Sequence, residues 1–196
     1  MSDVKAITWS LDIEPFDWIT VPAAPTDIDE WRADVATVFG LLNEADAELV
    51  DDLPLAPGAL DIDLALDTLL EFAAALGDDL LLVAGLGLAG DWPLPVIVDV
   101  SATADDPGDL LDAAGARGGL PVSAPTVDDV AEGDGIRVTR LDLDDDGAVW
   151  AQVACARRRD GVDVVLTWRT SHLELVPRFA PLLEQLLARV TIETDA

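Results

Sequence analysis

The chain has 196 residues, 51% of them hydrophobic, and 39 acidic side chains against 11 basic ones give a formal charge of -28. That length and apolar content are enough for one sizeable core, while so acidic a surface repels nucleic acid and anionic membranes and argues against both as partners. A single cysteine, Cys155, excludes an internal disulfide and a thiolate metal cluster, and fits a reducing compartment. The first twenty residues carry no basic n-region followed by an apolar h-region, so no signal peptide is expected. The apolar run Leu80 to Gly90 falls short of the roughly 18 residues a spanning helix needs. The expectation is one cytoplasmic domain over residues 1–196. Its acidity suits solubility in a salty or GC-rich host, and it would also attract a basic protein or mimic a nucleic acid.

In chain order, "AITWSLDI" alternates Ile7, Trp9, Leu11 and Ile13 with polar partners, the period of a half-buried strand. "FDWITVP" adds a second strand that Pro22 ends. "PTDIDEWRADVATVFGLLNEA" places Ile28, Trp31, Val35, Val38 or Phe39, and Leu42 on one helical face, with Thr26 as N-cap and acids in the first turn. Pro54, Pro57 and Gly58 break the chain before "DIDLALDTLLEFAAAL", a second helix through Leu66, Leu69, Leu70 and Phe72 that stops near Gly77. Two strands follow, "DLLLVAGLGLAG" and "LPVIVDVSATA", with Asp91 to Pro95 as the turn between them. A short helix is expected in "DPGDLLDAAGAR", with Pro107 near its first turn and Gly118-Gly119 at its end. Leu120 to Asp134 reads mostly as loop.

"IRVTRLDL", "AVWAQVACARR" and "VDVVLTWRT" are three strands separated by "DDDG" and "RRDG", spacings that make an antiparallel meander. "LELVPRFAPLLEQLLARV" is a helix striped with Val176, Phe179, Leu182, Leu183, Leu186 and Leu187. Its two prolines predict an irregular start near Pro177 and regular helix from about Pro181. "RVTIET" closes as an edge strand.

Candidate chemistry is sparse. "LDLDDDGAV" sets Asp142, Asp144 and Asp146 at alternate positions ahead of Gly147, as a calcium loop does. The twelfth position would be Val153 where a bidentate carboxylate is needed, and strands flank the loop where helices should, so Asp146-Gly147 reads as a hairpin turn. Gly85, Gly87 and Gly90 satisfy G-x-G-x-x-G, but Pro93 and Pro95 oppose the helix that a dinucleotide site requires, and no nicotinamide or other cofactor is expected. Cys155 lies mid-strand in phase with Val149, Ala151 and Val153, as a buried thiol would, and His172 has no cysteine or histidine partner for a metal. Asp61, Asp63 and Asp67 sit around a helix start. Arg157, Arg158 and Arg159 stand out in so acidic a chain; they either bind a partner or an anion, or neutralise aspartates at a hairpin end. Of six tryptophans, Trp31 and Trp92 are candidate partner anchors, while Trp150 and Trp168 await the register of the meander.

The opening strand with "DWITVP" nearby, and the closing "DDDGAVWAQVACARRRDGVDVVLTWRT" followed by "LVPRFAPLLEQLLARVTI", resemble the PsbP-like fold family, which includes actinobacterial LpqN-type proteins. The resemblance covers about the first twenty and last sixty residues and carries no catalytic residue. It implies a domain that binds other proteins or serves as an accessory subunit. The chain departs from the secreted lipoprotein members in having neither signal nor lipidation cysteine, which puts an envelope role in doubt.

The reading is therefore an α+β domain, a mostly antiparallel sheet ending in a three-stranded meander with helices packed on it. Its expected function is that of a non-enzymatic interaction or accessory protein of a bacterial cytoplasm, binding an unidentified, basic protein partner through its acidic surface. Trp31, Trp92, Arg157, Arg158 and Arg159 are the candidate contacts. A homodimer through an edge strand or exposed helix is a further option. The alternative is a small-molecule-binding protein or unrecognised hydrolase with a pocket between sheet and helices.

Overall fold

A computed structural model describes residues 7–14, 17–23, 28–49, 61–77, 79–86, 93–103, 110–117, 121–131 and 134–193. The architecture is α+β, with helices packed on a mostly antiparallel sheet. The chain divides into two compact units, Ile13–Val96 and Met1–Asp12 with Ile97–Ala196.

In the first unit, strand β2 (Trp18–Val21) pairs antiparallel with β3 (Leu81–Gly85), which in the sheet order is followed by β4 (Leu94–Ala102). Helix α1 (Ile28–Leu49) buries Val35 and Phe39, two positions of the expected stripe, and half-buries Ile28, Trp31 and Val38. Helix α2 (Ile62–Leu76) starts where the sequence marks it. The Asp61 side chain accepts the Leu64 N–H at 3.1 Å and so satisfies one of the four free amides of the first turn. Its buried stripe is Ala65, Leu66, Leu69 and Ala73, facing β2 and β3. Thr26, Pro54, Gly58 and the Asp91 end of the expected β3–β4 turn lie outside the described residues. Pro95 is not in that turn: it is the second residue of β4, a position where its fixed φ is compatible with extended backbone.

In the second unit the strand order is β4-β8-β7-β6-β5, with β5 (Thr126–Asp129), β6 (Ile136–Leu143), β7 (Val149–Arg159) and β8 (Val162–Thr170). The meander is as expected, β6 antiparallel to β7 and β7 to β8. A separate two-stranded sheet joins β1 (Thr8–Leu11) to β9 (Val190–Glu193). Asp160 and Gly161 take φ of 53° and 78°, as a tight two-residue hairpin turn requires, and bring Arg159 opposite Val162.

Register gives the meander two distinct faces, because alternate residues point to opposite sides. One carries Arg137, Thr139, Leu141 and Leu143 of β6, Ala151, Val153 and Cys155 of β7, and Leu166 and Trp168 of β8. Helix α4 (Val176–Ala188) packs on it, placing the Phe179 ring 4.6 Å from that of Trp168 and burying Leu183, Leu186 and Leu187. The other face is covered in part by the single-turn helix α3 (Leu110–Ala113), where Ala114, Leu110 and Leu111 meet Val138, Ala154, Ala156 and Val165.

Three expectations need correction here. The stretch read as loop contains β5, paired with β6 from Thr126↔Thr139 to Asp129↔Ile136, and a bridge Pro121↔Asp142. Being a four-residue edge strand that is exposed at three positions, it has no buried face to impose alternation. Helix α3 ends at Ala113, before Gly115, instead of continuing to Gly118-Gly119. Helix α4 is regular from Val176, not from Pro181. Pro177 occupies the first turn, where the missing N–H has no helical acceptor in any case, and Pro181 costs one backbone bond in a helix held by its apolar stripe.

Candidate interaction surface

Of the sequence candidates, Trp31 belongs to the first unit and Arg157, Arg158 and Arg159 to the second. Trp31 is half-buried on α1, and its indole N–H donates to the Thr20 carbonyl at 2.8 Å. That oxygen belongs to β2, so the tryptophan covers a strand carbonyl that another chain could otherwise engage. Trp92 lies outside the described residues. The three arginines are split by the strand's own alternation. Arg157 lies on the α4 side and donates to the Val190 carbonyl of β9, with burial and the nearby Arg159 charge holding its pKa below the usual arginine range. Arg158, on the opposite face, grips Asp163 with two bonds of 2.6 and 2.7 Å. Arg159 is exposed at the turn, 3.4 Å from Asp160.

Bidentate pairing with Arg158 and a hydrogen bond from Thr103 at 2.8 Å lower the Asp163 pKa. The same economy of charge recurs through the molecule. Arg32 meets Asp67 at 2.6 Å, Arg117 meets Asp112 at 2.8 Å, and Arg140 meets Asp142 at 2.8 Å. Arg137 bridges Asp128 of β5 and Glu184 of α4, while the second Glu184 oxygen accepts the Ala131 N–H at 3.0 Å. Arg32, Arg137, Arg140 and Arg158 are thus turned onto carboxylates and Arg157 onto a carbonyl, whereas Arg159, Arg169 and Arg178 are exposed, as are acids such as Asp129, Asp134, Asp145, Asp146 and Glu193.

Cys155 and His172, the sequence candidates for nucleophilic chemistry, sit in opposite surroundings, the first buried and the second exposed. Cys155 is fully buried opposite Arg137 and Leu166, and burial pushes its thiol up to about 12. A thiol that protonated is a poor nucleophile at neutral pH. His172 is exposed, 3.3 Å from Glu174, and precedes the helical turn Leu173–Leu175 without a side-chain cap. Among the described residues no group of three or more His, Cys, Asp or Glu is arranged to hold a metal, and no helix is long and apolar enough to cross a membrane.

The quoted aspartate run closes the β6–β7 hairpin. Asp144 N–H bonds the Ala148 carbonyl at 3.0 Å, and Gly147, with φ of 81°, returns its N–H to the Asp144 carbonyl at 3.0 Å. The Asp144 carboxylate accepts from the Trp150 indole at 2.9 Å and from the amides of Ala148 and Asp146 at 2.7 and 3.1 Å. These bonds, that from Trp150 first, lower its pKa. Asp144 is therefore occupied by the turn itself, while Asp145 and Asp146 face solvent.

Sequence reasoning missed the end of the meander beyond α4. Leu143 and Val149 are direct cross-strand partners at the last rung, on the same face as Leu141. The Val122 N–H donates to the Leu141 carbonyl at 2.7 Å and places Val122 alongside. Val122 is 51% exposed and Leu143 50%. The alternation of "RLDL" signalled an inward Leu143, but not that the covering helix would leave that rung open. Neither a protein-family model nor a curated protein matches the chain.

Proposed function

We propose that the protein is a non-enzymatic interaction or accessory protein of a bacterial cytoplasm that binds a basic protein partner through its acidic surface. The observation that carries this reading is the disposition of charge. Arg32, Arg137, Arg140 and Arg158 are held in internal pairs, and the exposed carboxylates outnumber the remaining exposed arginines and set the outward field of a chain with net charge -28. Such a field accelerates encounter with a cationic protein and disfavours anionic ones. The buried, protonated Cys155 and the exposed His172 support a role without nucleophilic catalysis. The resemblance to PsbP-like proteins points the same way.

The test is affinity recovery of the tagged protein from extracts of its own host at low and high salt, with mass spectrometry of what co-purifies. A stoichiometric basic protein, retained at low salt and lost at high salt, is the expected result. Finding no specific protein at either salt would overturn the proposal and move attention to thermal-shift screening of metabolites.

A further inference from the structure

The rung at the end of the meander sets two exposed apolar side chains, Val122 and Leu143, beside a turn rich in carboxylates. It joins Val122, Leu141, Leu143 and Val149 into one strip, and it abuts the turn that carries Asp144, Asp145 and Asp146. On a strand face otherwise covered by a helix, Val122 and Leu143 stay half open to water at its end, where burial against a partner would be favourable. Contiguous exposed apolar surface of this kind marks contact sites more often than scattered single residues do. Asp144 stays ionised because three donors hold it, and the Asp145 and Asp146 side chains have no cation beside them among the described residues.

Resting on the reading above, we infer that this strip docks a basic amphipathic segment of the partner protein, with its apolar side chains on Val122, Leu143 and Val149 and its lysines or arginines against Asp145 and Asp146. Charge complementarity selects this occupant. A second copy of the chain would bring the same three aspartates towards their own kind, and a purely cationic, apolar-free segment would leave the strip wet. Pro121 and the exposed Asp129 further discourage edge-to-edge pairing of two copies along β5, since proline lacks a donor and like charges repel.

The experiment uses two labelled synthetic peptides of identical leucine and lysine content, one patterned as an amphipathic helix and one scrambled, with binding read by fluorescence anisotropy. The intact protein is compared with a Val122→Ser, Leu143→Ser double variant, whose changes fall at exposed positions and leave the melting temperature near that of the parent. The parent is expected to prefer the patterned peptide by about tenfold, and the variant to lose that preference while still binding the scrambled peptide in a salt-dependent way. A parent without the preference, or a variant that keeps it, overturns the inference yet leaves the acidic-surface reading standing if both peptides bind. If neither peptide binds at low salt, both readings fall. A parent that sediments as a dimer and a variant that does not would assign the strip to a second copy and overturn the inference.

Discussion

The two faces of the β6–β7–β8 meander solve the same problem with different chemistry. On the α4 side, Val153, Cys155, Leu166 and Trp168 lie under a helix that contributes Phe179, Leu183 and Leu186, and the charged intrusions are Arg137, held by Glu184, and Arg157, held by the Val190 carbonyl. On the α3 side, a single helical turn covers Val138, Ala154, Ala156 and Val165, and beyond it the strands carry Arg140–Asp142, Arg158–Asp163 and Arg169 over the Trp150 ring at 6.0 Å. The first face is held by apolar area removed from water. The second is held by paired charges near water, which individually contribute little. Where a small cover leaves the sheet half open, this very acidic chain places Arg140, Arg158 and Arg169.

If that contrast is right, truncation on the α4 side costs most. Phe179→Ala removes a fully buried ring stacked near Trp168 and is expected to cost about 3–5 kcal/mol in urea unfolding. Val138→Ala on the opposite face should cost about 1.5 kcal/mol for the lost methyl groups. Equal losses would erase the distinction between the faces. Between these two variants lies Glu184→Ala, expected to cost about 2 kcal/mol. This is below the roughly 3–5 kcal/mol typical of breaking a buried pair, because Arg137 keeps Asp128 and a quarter of its side chain in water.

A smaller effect sharpens the charged side. The Asp163 pKa is lowered in the folded state, through Arg158 first and then Thr103, from an unfolded value of about 3.9. Its stabilising contribution is therefore complete above about pH 4 and is lost as pH falls through the folded value. Asp163→Asn should be less stable than the parent at neutral pH, and the gap should narrow below about pH 4; a gap that holds constant in acid denaturation curves would contradict the ion-pair account. Smallest is the response to calcium. Because Asp144 is occupied by the turn and by Trp150, millimolar calcium should raise the melting temperature no more than magnesium does. A calcium-selective rise would reopen the metal reading of the hairpin.

Much of the fold was legible wherever one face of an element is buried. The alternation of "AVWAQVACARR" and the Asp160-Gly161 turn pair locate β7 and its neighbour, and Asp61 marks the start of α2 by its capping chemistry. Strand β5 was not legible, because an exposed edge strand owes its shape to pairing with β6 and not to any pattern of its own. The same non-locality hid the charge network: Arg137 and Glu184 stand 47 residues apart. The run Arg157 to Arg159 looked like a cluster only while its strand period was ignored, since period two sends Arg157 and Arg158 to opposite faces. Trp150 and Trp168 likewise needed the register, which puts them on opposite faces through Asp142↔Trp150 and Val153↔Trp168.

The pairing of β1 with β9 has a consequence for how the molecule is made. Leu11 meets Val190 across about 180 residues of chain, whereas Leu143 meets Val149 across a short turn. By loop-closure entropy the longer link costs roughly 3 kcal/mol more to form from an open chain. On a ribosome, β1 is made well before β9, and about 180 further residues must be added before its partner exists. The meander's short-range pairings are expected to form first, with β1 and β9 joining as a late seam. Hydrogen exchange should find that seam opening before the meander does.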